Sequence, residues 1–331
     1  HGIFQNLEPG GDFDAAGHIA EAWLATWDIL DYTGVYHVKP AASGKGDCKS
    51  WENACALQTA LHIPYGSNEV WVMGGEYKPA DVADRSATFQ LRYGLDVYGG
   101  FAGTEYDRTL RNPTANLTTL SGDVDAAGEN DSYHVVKGAT GATLDGFTVT
   151  KGNANGTSSN DDGAGIYNDK SSPTIANVTF INNVATGNGG AMYNNEGNPI
   201  LTNVTFSDNL AANGGGVYNY NGEPMFTNIT FSGNSASQNG GGMANANSSP
   251  TITNVTFSFN DATVSGGGMY NSDSDPKIRN TIFWGNTPTG SQIEDTGTSN
   301  PIVSDSVIQT GYPDGTNIIT GDPLFGSLGN Y

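Results

Sequence analysis

Residues 189–209 read GGAMYNNEGNPILTNVTFSDN, and residues 240–260 read GGGMANANSSPTITNVTFSFN. Both stretches belong to a repeat of 25 or 26 residues that fills the second half of the chain. A proline, a phenylalanine and an aliphatic residue that follows glycine each recur with this period. They are Pro173, Pro199, Pro224, Pro250 and Pro276; Phe180, Phe206, Phe231, Phe257 and Phe283; and Ile166, Met192, Val217, Met243 and Met269. Three columns in one register establish an internal repeat.

Within each repeat unit, apolar and polar residues alternate with the two-residue period of β-strands. Each unit holds about three short alternating runs bounded by Gly, Asn or Pro, and none has a helical apolar stripe. One unit cannot bury its apolar face alone, so successive units must stack, each strand pairing with its equivalent ~4.8 Å away. A propeller blade usually needs about 40 residues or more, which favours the solenoid. The sequence therefore predicts an all-β fold, a parallel β-helix with 25–26-residue coils.

Alternation assigns faces within one coil. Ile175, Val178 and Phe180 should point inward and Thr179 outward. Between the strand that contains Ile175 and the strand that contains Phe180, an asparagine recurs. Asparagine tolerates the left-handed conformation of a turn, and its side-chain amides can form hydrogen bonds along the axis of the helix. The column, which we interpret as an asparagine ladder, comprises Asn177, Asn203, Asn228, Asn254 and Asn280.

The chain before the repeat has a different pattern. Ile19, Trp23, Trp27 and Leu30 form an apolar stripe of helical period, and a second helical pattern runs from Ser50 through Leu57 to Leu61. A helix there would either cover the open end of the β-helix or dock on a neighbouring subunit. The predicted organisation is an N-terminal extension over residues 1–35, a capping region with a short helix over 36–89, the β-helix over 90–325 and a tail over 326–331.

Charge excludes several classes of partner. Among 331 residues, 34 Asp and Glu face 13 Lys and Arg, which gives a formal net charge of −21. Phosphate backbones and anionic lipid surfaces would be repelled, and no stretch is long and apolar enough for membrane insertion. The chain begins with His1 and not Met, as expected of a trimmed, secreted protein. We expect an extracellular or cell-surface location, with no nucleic-acid partner.

The two cysteines, Cys48 and Cys55, are close in sequence. If they pair, the disulfide closes one local segment. The alternative is two buried free thiols.

Several motifs carry a family resemblance. Gly-Gly-Ala-Met-Tyr-Asn at 189–194 and the Phe-x-x-Asn motifs that begin at Phe180, Phe206 and Phe283 resemble the right-handed β-helix repeats of chlamydial polymorphic outer membrane proteins. Secreted proteins with the choice-of-anchor Q domain are more similar still, through residues 71–79, 97–103 and 321–325. The resemblance covers residues 36–331. It implies a right-handed helix on a secreted or cell-surface protein, usually without an assigned activity.

Enzymatic β-helices that cleave acidic polysaccharides need Arg or Lys beside the substrate carboxylate. None occurs between Lys170 and Lys277, which argues against a lyase on those coils. Hydrolysis of a neutral glycan needs two spaced carboxyl groups. The candidates near an insertion at 153–162 are Asp123, Asp125, Asp145, Asp161 and Asp162. The alternative is that these acids are solvated turn residues, so we predict no enzymatic activity.

Two further features are candidate binding sites. Asp123, Asp125 and Asp131 supply hard oxygen atoms of the kind that Ca²⁺ prefers, and the alternative is an acidic turn; no other cofactor is required. A row of tyrosines, each after an inward aliphatic residue, should point outward: Tyr167, Tyr193, Tyr218 and Tyr270, interrupted at Ala244. This strip would either bind neutral glycans or stack to stabilise neighbouring coils.

N-glycosylation sequons fall on the ladder asparagines Asn177, Asn203, Asn228 and Asn254. A ladder produces these sequons without any glycan, and we expect its amides to point inward, where they could not be modified. Asn116, Asn155 and Asn247 are then the preferred acceptors.

These observations predict a non-enzymatic extracellular structural or adhesion protein, an acidic rod that forms a filament or surface-layer subunit. Its partners would be other copies of itself or a cell-surface polysaccharide. Two alternatives stay open. One is a neutral-glycan-binding module that uses the tyrosine strip, and the other is a glycoside hydrolase with carboxylates near the insertion.

Overall fold

The computed structural model describes residues 34–63, 69–80, 84–124 and 131–325. They fold as a right-handed parallel β-helix, which confirms the parallel β-helix predicted from the repeat and the hand implied by the family resemblance. The strands in chain order are β1 (Tyr36–Val38), β2 (Glu69–Met73), β3 (Gly75–Tyr77), β4 (Phe89–Gln90), β5 (Asp96–Phe101), β6 (Thr118–Ser121), β7 (Val136–Lys137), β8 (Thr143–Asp145), β9 (Thr148–Thr150), β10 (Asn153–Ala154), β11 (Ile166–Asp169), β12 (Thr174–Ala176), β13 (Thr179–Ile181), β14 (Val184–Ala185), β15 (Met192–Asn195), β16 (Ile200–Ser207), β17 (Leu210–Ala211), β18 (Val217–Tyr220), β19 (Met225–Ser232), β20 (Ser235–Ala236), β21 (Met243–Ala246), β22 (Thr251–Ser258), β23 (Asp261–Ala262), β24 (Met269–Ser272), β25 (Lys277–Arg279), β26 (Ile282–Trp284), β27 (Ile293–Thr296), β28 (Ile302–Ile308) and β29 (Thr316–Ile319).

Within the described residues these strands form three sheets, and every pairing is between parallel strands. Sheet A has 16 strands and contains β12, β16, β19 and β22. Sheet B has eight strands, in the order β27-β24-β21-β18-β15-β11-β7-β4, and sheet C has five, β10-β14-β17-β20-β23. Equivalent residues of successive coils pair directly, as Phe206 with Phe231 and Met192 with Val217.

Sheet A bends along one line. The long strands β16, β19 and β22 pass through Asn203, Asn228 and Asn254, whose φ angles of 55°, 56° and 57° lie in the left-handed region. Asparagine accepts that conformation at lower cost than most residues. The bend divides sheet A into face A1, made of Thr174–Ala176 and its equivalents, and face A2, made of Thr179–Ile181 and its equivalents.

The core is the interior of the coils. Ile175, Val178 and Phe180 are buried and Thr179 points outward, half-buried, as the alternation predicts. The interior phenylalanines stack along the axis with ring centroids 4.5–5.2 Å apart: Phe180, Phe206, Phe231, Phe257 and Phe283. Upstream, Leu144 in β8 pairs with Ile175, so the coil before the insertion at 153–162 belongs to the same stack.

The sheets begin earlier than the boundary at residue 90 that the period suggests. β1 already pairs with β2, and β2 pairs with β5. The first coils are separated by long loops, which hide the 25-residue step from the sequence. Of the predicted extension over residues 1–35, only Val35 and its neighbour at 34 lie within the described residues; Ile19, Trp23, Trp27 and Leu30 lie outside them.

The short helix of the capping region differs from the prediction at its start. The helix α1 (Leu57–His62) begins at Leu57 and not at Ser50. Residues 48–55 form a loop closed by the Cys48–Cys55 disulfide, and the Asn53 amide donates to the Ser50 carbonyl. The disulfide, the turn at residues 50–53 and the pairing of Cys55 with Val38 fix this segment in a non-helical conformation, so the helix begins only after it. Two short 3-10 helices, η1 (Arg108–Leu110) and η2 (Ser158–Asp161), lie in loops.

The described part of the chain contains no helix that is both long enough and apolar enough to span a membrane.

Candidate functional site

The asparagine ladder at the bend of sheet A is a chain of side-chain hydrogen bonds. Each amide Nδ2 donates to the Oδ1 of the preceding coil: Asn203 to Asn177 at 3.3 Å, Asn228 to Asn203 at 3.2 Å, Asn254 to Asn228 at 3.1 Å and Asn280 to Asn254 at 2.6 Å. The last donor, Asn177, reaches the carboxylate of Asp145 at 2.8 Å. The chain of amides therefore ends on a negative acceptor.

The ladder lies on the surface, and the expectation that its amides point inward is wrong. All five side chains are exposed. At the bend two successive residues, such as Ala176 and Asn177, both avoid the core before Val178 turns in, which breaks the simple alternation. Burial therefore does not protect Asn177, Asn203, Asn228 or Asn254 from glycosylation, and the three other candidates differ among themselves. Asn155 and Asn247 are exposed, whereas Asn116 is half-buried and donates to the Gly100 carbonyl at 3.2 Å.

Two buried ladders were missed by the sequence reasoning. One follows the phenylalanines and comprises Asn183, Asn209, Asn234, Asn260 and Asn286, each 1% exposed or less. Each of the first four donates to the next at 2.9–3.0 Å, and the chain ends on the Oε1 atom of Gln292. The Phe-x-x-Asn motif was visible, and its constant step would have revealed this ladder. Such satisfied amides hold neighbouring coils in register.

The other buried ladder runs through sheet B. Its members Asn168, Asn194, Asn219, Asn245 and Asn271 are connected by hydrogen bonds of 2.7–2.8 Å. Asn271 donates to Asp295, whose second oxygen accepts from the Tyr312 hydroxyl, both at 2.7 Å. This chain of amides also ends on a carboxylate, and here Asp295 occupies the position of Asn271 in the next coil.

The tyrosine strip lies on the outer face of sheet B, where Tyr167, Tyr193 and Tyr218 are half-buried. Their rings are 5.5 and 5.6 Å apart at interplanar angles of 14°, so each ring covers the face of its neighbour. Burial raises the pKa of Tyr193 far above its usual range, which keeps the hydroxyl a donor. Within the stack, only ring edges and hydroxyls remain for a ligand.

Ala244 interrupts the strip. It pairs with Tyr218 on one side and Tyr270 on the other, and its own side chain is 1% exposed. The faces that Tyr218 and Tyr270 turn toward Ala244 have no tyrosine stacked on them. If a sugar ring stacks on this strip, those two faces are where it can do so.

The insertion near 153–162 brings Asp162 close to the tyrosine strip. Its Oδ1 accepts from the backbone N–H of Asn188 in the next coil at 2.6 Å. Burial raises the pKa of Asp162 to about 6, against the effect of that hydrogen bond, and the charge of Asp161 adds to the rise. Nearby, burial lowers the pKa of His134 to about 4, and its ring lies 4.8 Å from that of Tyr167. A carboxyl group with a raised pKa has one property of a general acid.

Two of the other candidate acids, Asp123 and Asp145, already form ion pairs. Asp123 accepts from Lys151 at 2.8 Å and contacts Lys78 at 3.4 Å, and Asp145 forms an ion pair with Arg111 at 2.7 Å. Asp131 is buried, and Asp125 lies outside the described residues. Across the described ranges no group of three His, Cys, Asp or Glu side chains is placed to hold a metal ion. The Ca²⁺ site at Asp123, Asp125 and Asp131 stays a prediction.

Comparison with known proteins agrees with this architecture. A family model described as the right handed beta helix region matches residues 162–324. No curated protein sequence matches the chain significantly. Among solved structures, the crystal structure of pectate lyase Pel9A is similar at 14% identity and a TM-score of 0.47, over 85% of this chain and 71% of that chain. The repeat, the three parallel sheets and the match to this family model together show that the chain has the right-handed parallel β-helix fold.

Proposed function

We propose that this chain is a non-enzymatic structural or adhesion protein that works outside the cell, of the choice-of-anchor Q type. The observation that carries the proposal is the continuity of the ladders. One exposed and two buried chains of amides join the coils from about residue 168 to 295, in addition to the backbone pairing. Each rung is individually weak, but together they resist local opening of any one coil. A stiff rod suits display or assembly.

The surface of the rod also supports contact with neutral partners. Residues 171–260 carry three acidic residues, Glu196, Asp208 and Glu223, and no Lys or Arg. An acidic polysaccharide or nucleic acid would find no cation there to neutralise its charge. The proposed partners are other copies of this chain or a neutral cell-surface polysaccharide. The proposal requires no cofactor.

Assembly is tested by negative-stain electron microscopy of the secreted chain beside a variant that lacks residues 1–35. We expect end-to-end filaments from the full chain and isolated rods from the variant. At one end β29 pairs with β28 on one side and has Ile319, 60% exposed, so another copy can dock there. We propose that the docking segment is residues 1–35, whose sequence has an apolar stripe at Ile19, Trp23, Trp27 and Leu30. Isolated rods from both proteins would contradict self-assembly and leave adhesion to be tested with polysaccharides.

Neutral-glycan binding at the tyrosine strip is the second candidate, favoured by the break in the stack of tyrosines between Tyr218 and Tyr270. Ala244→Tyr should fill the gap in the stack. The backbone around Ala244 resembles that around Tyr270, because Gly240 lies against Ala244 as Gly266 lies against Tyr270. A Cβ on these glycines would lie 2.8 and 2.9 Å from the Cβ atoms beneath. We expect the variant to gain about 0.5–1.5 kcal/mol of stability from aromatic stacking. It should also lose any neutral oligosaccharide binding that the native chain shows.

Urea unfolding and calorimetric titration of both proteins with neutral oligosaccharides measure these effects. Unchanged stability would contradict the stacking role, and absence of binding by the native chain would exclude the glycan module.

A glycoside hydrolase that uses Asp162 remains a third proposal, with Asp161 as the neighbouring carboxyl group.

A further inference from the structure

Face A2 presents a regular array of small side chains to the solvent. Its outward residues form two ranks, one at the first and one at the third position of a Thr-x-Ser-like tripeptide. The first rank is Thr119, Thr148, Thr179, Thr205, Thr230 and Thr256, and the second is Thr150, Ile181, Ser207 and Ser232. We call these ten residues the threonine face. Thr230 is exposed and the other nine are half-buried.

The spacing of the array is fixed by the backbone. The threonines of the first rank pair directly from coil to coil, without a register shift, from Thr119 to Thr256, and Ile282 takes the position in the coil after Thr256. Parallel strands lie about 4.8 Å apart, and residues two positions apart on a strand are separated by about 6.6 Å. The face is therefore a two-dimensional array made mainly of hydroxyl and methyl groups, complete in the first rank and shorter in the second, where Ile181 replaces a hydroxyl residue. Behind it, the stacked rings of Phe180, Phe206 and Phe231 support the strands from the core and keep them aligned.

The threonine face carries no ionisable group, although the chain has a net charge of −21. Its nearest charged neighbours along the strands, Lys151 and Asp208, lie at the following bend, where their φ angles are 58° and 54°. A charged group holds a tight hydration shell of its own and would disturb ordered water beside it. A neutral face of hydroxyls and methyls is compatible with an uncharged, ordered surface.

We infer that the threonine face binds the surface of ice. Adsorption to a crystal needs many identical weak contacts in register. Side chains that are already ordered in the free protein lose little conformational entropy when they bind. Here the sheet fixes the spacing, and the β-branched threonines have restricted χ1 rotamers. The hydroxyls can take positions of lattice water, and the methyls can fill the spaces between them. This activity goes beyond the proposed structural role and does not depend on self-assembly.

The array favours ice over a polysaccharide. Sugar recognition uses aromatic faces, and the tyrosine strip that could offer them lies on sheet B. The first rank of the threonine face contains only threonine, with one hydroxyl on each rung. That uniformity suits a surface with the same short repeat in every rung.

The test measures inhibition of ice recrystallisation by the full chain, together with thermal hysteresis, the difference between the melting and freezing temperatures. The native protein should show both. Thr230→Tyr places a ring in the middle of the face and should lower the activity about tenfold, because a rigid surface cannot adapt to it. Ala246→Tyr is the matched control, since Ala246 is half-buried on sheet B and pairs with Tyr220, so the fold already holds a tyrosine one coil earlier. It should leave the activity unchanged.

Circular dichroism and thermal unfolding of both variants check that they fold. A native protein without effect on ice, or equal losses from the two substitutions, would overturn the inference. Sedimentation with crystalline cellulose, without any effect on ice growth, would also overturn it and identify a polysaccharide as the occupant.

Discussion

Asn234→Ala is expected to destabilise the β-helix by about 3–5 kcal/mol, the sum of several buried hydrogen bonds lost without replacement by water. The Asn234 Nδ2 atom donates to the Phe206 carbonyl and to Asn260 Oδ1, each at 2.9 Å. Its Oδ1 accepts from the backbone and side-chain nitrogens of Asn209, at 3.2 and 2.9 Å. Alanine leaves these partners buried without the Asn234 side chain. Urea unfolding gives the change in free energy.

Asn228→Gly is the matched control in the exposed ladder. Asn228 forms comparable amide bonds, but water can replace them, and glycine relieves its left-handed φ of 56°. The expected loss is about 1 kcal/mol or less. If Asn234→Ala cost no more than this control, the buried ladder would not stabilise the coils, and a stiff rod would not be expected.

The repeat made the interior predictable. A column such as Phe180 and Phe206 repeats because every coil fills the same position in the core, so period and alternation place it without a structure. The column of Asn177 was placed at the correct turn for the same reason. Its direction was predicted wrongly, because alternation assumes continuous extended backbone and a left-handed residue interrupts it.

The candidate sites were less predictable, because their contacts join residues that have no common period. Arg111 reaches Asp145 from a loop, and the raised pKa of Asp162 depends on its burial beside Asn188 of the next coil. The covering of Tyr193 by its neighbours depends on ring orientation, which alternation does not specify. Sequence reasoning found the residues, but whether an acid is paired or a ring face is covered required the stacked coils.

Phe231→Ala is expected to destabilise the protein by about 3–5 kcal/mol, as large-to-small changes in a rigid core do. Phe231 is fully buried and stacks on Phe206 at 4.8 Å and on Phe257 at 4.6 Å. Its carbonyl also accepts from Asn260 at 3.0 Å, so a collapse around the cavity would disturb the buried ladder. Phe231→Leu keeps most of the volume and should cost about 1.5 kcal/mol or less.

The region in which Phe231→Ala loses hydrogen-exchange protection distinguishes a chain of coupled coils from a uniformly cooperative core. In a solenoid each coil contacts only its neighbours, so hydrogen exchange in Phe231→Ala should accelerate most in β16, β19 and β22. β8, three coils before the substitution, should keep its protection. Equal acceleration in β8 and β19 would contradict this, because the stabilising interactions would then not be confined to adjacent coils. It would also weaken the proposed structural role, since a rod that opens as a whole does not localise damage.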